Sequence, residues 1–279
     1  MNGLRSARGF TLVEAIIVMV VTGILAGMVA VFLKTPVQNY VDTAERVDMT
    51  DVADLTLRRM TRELRLALPN SVLVSADRRT LQFQLTKTGG RYIDVGDSPP
   101  ATLLPLDFSP AASLQFDMAG AAPTGRQQIL ANDWIVVYNV GVAPADARTF
   151  GNAARVTAVA GTRITLASNP FATASPSMPS PNSRFQVVSG TVTYVCVPAA
   201  GGGGTLTRSF TNQIIGLNGL GAPPFGAPAL LANLVSSCSF DYTVLANTNA
   251  ALVSLSLALA RSNGESINLA RQVHVDNTP

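Results

Sequence analysis

The chain has 279 residues, a formal net charge of +3 and a hydrophobic fraction of 47%, which suffices for one or two domains with a real core. Charged residues make up only 13% of it, about half the usual share, so neither a highly charged disordered chain nor a basic nucleic-acid surface is expected. One His and two Cys are too few for a four-ligand structural zinc site, and no metal or cofactor is expected.

Residues 1–9 carry Arg5 and Arg8 and no acid, and the next 24 residues, 10–33, hold one charge, Glu14, before Lys34. At about 1.5 Å per residue this run makes a helix of about 36 Å, enough to cross a hydrocarbon core of about 30 Å. A secretory signal peptide has a shorter apolar stretch of about 7–15 residues and a small-residue cut site, so residues 10–33 are expected to stay as a transmembrane helix. The basic leader precedes the span, and Asp42, Glu45 and Asp48 follow Lys34. The positive-inside rule then leaves the amino terminus in the cytoplasm and the rest of the chain on the far side.

Glu14 is the anomaly. A carboxylate near the start of a spanning helix costs on the order of 2–3 kcal/mol unless it is shallow or paired. It is either an interfacial residue favoured by the helix dipole or one end of a buried pair. The run Arg8-Gly9-Phe10-Thr11-Leu12-Val13-Glu14 followed by unbroken apolar sequence resembles the type III signal of type IV pilins and pseudopilins. The resemblance implies that a prepilin peptidase cuts after Gly9 and methylates the new amino terminus at Phe10. It also implies that Glu14 neutralises the amino terminus of a neighbouring subunit in a helical bundle of minor and major pilins. Such a protein sits in the inner membrane with its carboxyl-terminal domain in the periplasm, or at a filament tip on the cell surface. The physics is consistent: cutting after Gly9 creates an ammonium at membrane depth, and a buried amine and carboxylate are tolerable only when paired. Removing Arg5 and Arg8 from the 20 basic residues leaves 18 against 17 acids, so the positive charge is mostly leader.

Beyond Pro36, apolar residues recur at Val37, Tyr40, Val41 and Ala44, then at Val52, Leu55, Met60, Leu64 and Ala67. This spacing predicts one long helix to residue 68, with an amphipathic extension over 34–68, ended by Pro69-Asn70. Eleven charges lie between Asp42 and Arg65, acids first and mostly bases later. They would pair between staggered helices in a filament, or form a solvated face with local pairs such as Asp54–Arg58 and Arg59–Glu63.

From Val72 the helical period gives way to short β-type runs between Gly, Pro, Ser and Asn clusters. Strands are expected at 81–86, 92–95, 113–117, 134–140, 155–159, 163–167, 185–188, 191–197, 206–210, 239–244, 252–260 and 266–275. Residues 81–85 and 253–257 alternate strictly, which predicts one buried and one wet face. Residues 155–159 and 163–167 flank Ala160-Gly161-Thr162 as a hairpin. Loops are expected at 96–110, at 169–182 and at 201–204, the last a flexible turn of four glycines. The fold class is therefore α+β: a long amino-terminal helix followed by a mainly antiparallel β domain over 69–279. From Ile164 to Ala260 the only charges are Arg184, Arg208 and Asp241. That face either meets a partner or is solvated by Ser, Thr and Asn.

Cys196 and Cys238 lie 42 residues apart in two strand regions on the oxidising side of the membrane. A disulfide is expected there, with a pair of buried free thiols as the alternative. Catalysis finds little support. His274 is alone in an alternating strand, residues 201–204 lack the Lys-Ser/Thr of a phosphate-binding loop, and Asp94, Asp97 and Asp107 lack calcium-loop spacing. The protein is not expected to be an enzyme. The carboxyl-terminal stretches 237–242, 252–260 and 272–279 are similar to minor pilins of mannose-sensitive haemagglutinin (MSHA) pilus systems, which implies a low-copy subunit that starts a filament or caps it. Alternatives are a J-type minor pseudopilin of type II secretion and, in a different class, a membrane-anchored periplasmic adhesin or enzyme.

Overall fold

The structure is a computed structural model that describes residues 9–109, 113–216, 220, 227–245 and 249–279. The leader residues 1–8, with Arg5 and Arg8, lie outside the described residues. One helix, α1, runs over Leu12–Leu64, and its backbone stays helical through position 36. Contacts divide the chain into two compact units, Met1–Met49 and Thr50–Pro279, so the boundary falls inside α1 and its last turns belong with the β structure.

In the first unit the apolar stretch Leu12–Phe32 has a mean hydropathy of 2.7 over its most apolar window, none of which is buried. Its 21 residues span about 32 Å as a helix, the thickness of a hydrocarbon core.

In the second unit the buried helix stripe is Ala53, Leu57, Met60 and Leu64, spaced four, three and four residues apart as one helix face requires. Val52 and Leu55, expected on that face, are both exposed, Leu55 at 71%. The larger apolar residues misled it, because the smaller Ala53 is the one that faces inward. The helix also ends at Leu64, four residues before the expected end. Residues 66–68 leave it to bond with a strand: Leu68 N–H donates to Gln84 O at 2.8 Å and Thr86 N–H to Leu66 O at 2.8 Å. Those strand bonds take the place of another helical turn.

The strands follow in order: β1 (Leu73–Val74), β2 (Thr80–Tyr92), β3 (Gln115–Ala119), β4 (Trp134–Val136), β5 (Ala153–Ala160), β6 (Arg163–Leu166), β7 (Arg184–Val197), β8 (Gly204–Thr211), β9 (Ala229–Val244), β10 (Ala250–Ala260) and β11 (Ser266–Asp276). All pairings among them are antiparallel. The β5–β6 hairpin forms as expected around Gly161.

β7 organises the unit. One edge pairs with β2 along most of its length, while the other pairs with β4 near its start and β8 near its end. Because β2 also pairs with β3, the strands β2–β3–β6–β5–β4–β7 close into a ring. That ring carries one core cluster, including Tyr92, Phe116, Ile135, Val156, Ile164, Phe185 and Val187, with Phe116 and Phe185 edge to face at 5.6 Å. From the other end of β7 the sheet continues through β8, β9, β10 and β11.

Several expected breaks are absent because glycine was read as an end of strand. β2 runs on through Gly89-Gly90 to Tyr92, which is all that forms of the strand expected over 92–95, because Asp94 caps a 3-10 turn over Val95–Asp97 there; β7 merges two expected strands through Gly190. A Cβ on Gly90 would lie 2.8 Å from the Phe185 ring, so this glycine allows close packing and ends nothing. The glycines at 201–204 are likewise no loose turn. Gly202 has φ of +92°, and a Cβ there would overlap the Ala260 carbonyl, so only glycine lets the backbones meet.

Conversely, β9 begins ten residues earlier than expected. Leu234 has φ of +59° and the ladder slips beside it, which breaks the alternation on which the expectation rested. The strand expected over 134–140 ends at Val136, because Tyr138 takes φ of +50°. The alternating segment 81–85 has no wet face: Gln82 and Gln84 are 1% exposed, and Gln82 Nε2 donates to Thr193 Oγ1 at 3.0 Å. In β10 the expected alternation is present, with Val253, Leu255 and Leu257 buried.

Candidate functional site at the amino-terminal helix

Gly9 and Phe10 precede α1, and Phe10 is 72% exposed. Thr11 caps the helix: its Oγ1 accepts from the Glu14 N–H at 3.3 Å, and its carbonyl from the Ala15 N–H at 3.2 Å. The Thr11-x-x-Glu14 spacing is a helix-start signal that the sequence argument did not use. Glu14 is the third helical residue, exposed, where the positive end of the helix dipole favours a carboxylate. Its side chain has no partner among the described residues. Further along, the Thr22 hydroxyl donates to the Val18 carbonyl at 2.6 Å, which satisfies a polar group inside an apolar stretch.

The charged part of α1 holds the two expected local pairs and also reaches the sheet. Glu63 Oε2 accepts from the Tyr194 hydroxyl at 2.7 Å and from Arg208 Nε at 2.8 Å, while Oε1 accepts from Arg59 Nε at 3.2 Å. Asp54 accepts from Arg58 Nε and from Arg271 Nη2, each at 2.5 Å. The two local pairs are present, and the same carboxylates reach β7, β8 and β11. Thr56 adds a hydroxyl bond to the Leu231 carbonyl of β9 at 3.1 Å. Burial pushes the Glu63 carboxyl up, and the bonds from Arg208 and Tyr194 outweigh it, so it lies below its usual range. Burial and the Glu63 charge push the Tyr194 hydroxyl far up. Arg271 beside it holds Asp54 below the ordinary carboxylate value.

Cys196 and Cys238 are bonded, with Cα atoms 6.6 Å apart. The bond ties β7 to β9 beside the β1–β2 turn. There the Cys196 N–H donates to the Arg79 carbonyl and the Phe240 N–H to the Arg78 carbonyl, both at 2.9 Å.

Residues 4–30 match the family model of the prokaryotic N-terminal methylation motif. The motif indicates a type IV pilin-like protein. It implies processing by a prepilin peptidase and partners of the pilin type, and the one long apolar helix among the described residues is consistent with one membrane anchor. No curated protein and no solved structure matches the chain. Gly9, Phe10 and Glu14 all fall within the matched segment, whereas the bonded cysteines lie in the β domain, outside it.

Proposed function

We propose that this chain is a minor pilin, similar to MshO of MSHA pilus systems, that starts a filament or sits at its tip. The observation that carries this is the match at residues 4–30, with Gly9 and Phe10 ahead of the helix and an exposed carboxylate in its first turn. The similarity at 237–242, 252–260 and 272–279 supports the MSHA assignment, and the 279-residue length favours a low-copy subunit over a bulk fibre subunit. On this proposal a prepilin peptidase cuts after Gly9 and methylates Phe10. The helix stays in the inner membrane with the β domain in the periplasm, and the protein has no catalytic role. A J-type minor pseudopilin of type II secretion shares the long helix and the β-rich domain, and it is the second reading.

Mass spectrometry of membrane-extracted protein tests the processing: the expected amino terminus is N-methylated Phe10. An intact Met1, or a cut beyond Leu33, overturns the proposal.

Glu14→Ala tests the pairing. Insertion should be unaffected or eased, since a charge leaves the span. Incorporation should fall, because a neighbour's ammonium is left unpaired at membrane depth, and breaking a buried pair costs about 3–5 kcal/mol. Crosslinking to the other pilin-like subunits, with a filament count, provides the measurement. Normal crosslinks and filaments would show that Glu14 only serves the helix start.

A further inference from the structure

An open cavity of about 810 Å³ lies on the β domain, lined in part by Arg91, Tyr138, Asn182, Arg184, Gln186 and Asp276. Arg91 of β2 and Arg184 of β7 are directly opposed in an antiparallel ladder, so their side chains share a face. Like charges in that position destabilise a sheet. Arg91 has a counter-charge in Asp97 at 3.3 Å. Arg184 has no hydrogen-bond or ion-pair partner among the described residues. This separates it from the other two charges between Ile164 and Ala260: Arg208 binds Glu63 and Asp241 binds Arg78. The side chains of Asn182, Gln186 and Tyr138 also lack hydrogen bonds among the described residues.

The walls are held in place. Tyr138 and Ser183, both lining residues, have φ of +50° and +51°, and backbone of this kind in residues other than glycine persists only where the surroundings impose it. Near the carboxyl terminus, Asn277 accepts from the Asn70 N–H at 3.0 Å and donates to the Tyr242 hydroxyl at 3.0 Å. Asn70 Nδ2 in turn donates to the carbonyls of Asn139 and Asn277. These bonds fix the segment that carries Asp276, whose carboxylate accepts from the Thr278 N–H at 2.8 Å. Gly89 stands across from Gln186 and leaves the floor beside the arginines without a side chain.

We propose that this cavity binds an acidic saccharide, with the ligand's carboxylate between Arg91 and Arg184 and its hydroxyls on Asn182, Gln186 and Asp276. A planar carboxylate matches the guanidinium fork and gives Arg184 the counter-charge that Arg91 has in Asp97. Free amides and an acceptor carboxylate suit hydroxyl groups, which both donate and accept. The volume falls within the range of small-molecule sites. The inference rests on the β domain alone and holds whether or not the chain is a pilin subunit.

The test is calorimetric titration of the full-length protein in detergent with trigalacturonate, with neutral galactotriose and with tetraglutamate. Trigalacturonate should bind saturably and more weakly as salt rises, while the other two bind at least about tenfold less tightly. Arg184→Gln should weaken trigalacturonate at least about tenfold and leave the melting midpoint unchanged or raised, since it relieves the repulsion with Arg91. Arg78→Gln, outside the cavity, should bind as the parent does. A lowered midpoint with unchanged affinity in Arg184→Gln would assign that residue a structural role and overturn the proposal. So would absence of trigalacturonate binding, equal binding of galactotriose, or tighter binding of tetraglutamate, which would mark the surface as one for an acidic protein segment.

Discussion

Glu63→Ala is expected to lower the melting midpoint of the β domain by about 6–12 °C. The pair it breaks is largely out of water, with Arg208 15% and Glu63 13% exposed. Removing one member leaves the guanidinium in that site without its counter-charge, beside the Tyr194 hydroxyl and with the Phe210 ring 5.9 Å from its carbon. The Tyr194 hydroxyl, in a fully buried residue, loses its acceptor as well. Breaking such a pair costs about 3 kcal/mol, the lower end of the range because the pair is not sealed. At about 2–4 °C per kcal/mol for a domain of this size, that gives the stated shift.

Glu63→Gln keeps an acceptor for Tyr194 and should lose less. The pH dependence has a definite sign. The folded carboxyl lies below its ordinary value of about 4.3, so its stabilisation is fully present above that value and is lost as pH falls through the folded one. The difference in stability between the parent and Glu63→Gln should therefore be constant near neutrality and shrink below about pH 4.3. Thermal melts at several pH values decide this, and a difference that grows on acidification would refute the assignment.

Replacing Cys196 and Cys238 together by alanine is expected to cost up to about 4 kcal/mol, from the 42-residue separation in the loop-entropy model. The corresponding fall in melting midpoint is about 8–16 °C. Alanine avoids placing a hydroxyl at position 196, which is 2% exposed. The double variant should still fold, since β7 and β9 each keep their own ladder partners. Denaturant melts of the two proteins without reductant provide the comparison. Equal midpoints would mean that the bond adds nothing to a sheet already closed by hydrogen bonds.

Local signals in the sequence were legible where the physics is local. The apolar run after Gly9, the 3.6-residue period of α1 and the alternation in β10 each depend on neighbours a few residues apart. Glycine was misread for the opposite reason. At Gly90 and Gly202 its role is set by Phe185 and by the Ala260 carbonyl, partners far away in sequence. The partners of Glu63 were invisible likewise: Arg59 is one turn away, whereas Tyr194 and Arg208 arrive only when the sheet forms. The ring of six strands depends on the pairing of Tyr92 with Met118, which no periodicity announces. At the candidate site, the run from Gly9 to Glu14 is legible as a motif because the matched segment is contiguous.

The ring also says something about how such a chain can diversify. Arg91 and Arg184 are ladder neighbours, so β2 and β7 amount to one long hairpin whose connection is residues 93–183. All of β3, β4, β5 and β6 lies in that connection. It is a long excursion whose ends are already joined. Changes within it, in length or in sequence, leave untouched the register of β2 with the first part of the sheet, the Glu63 and Asp54 ties and the cysteine bond. Selection for new contacts can therefore act on the excursion while the helix and its supporting sheet remain a constant chassis.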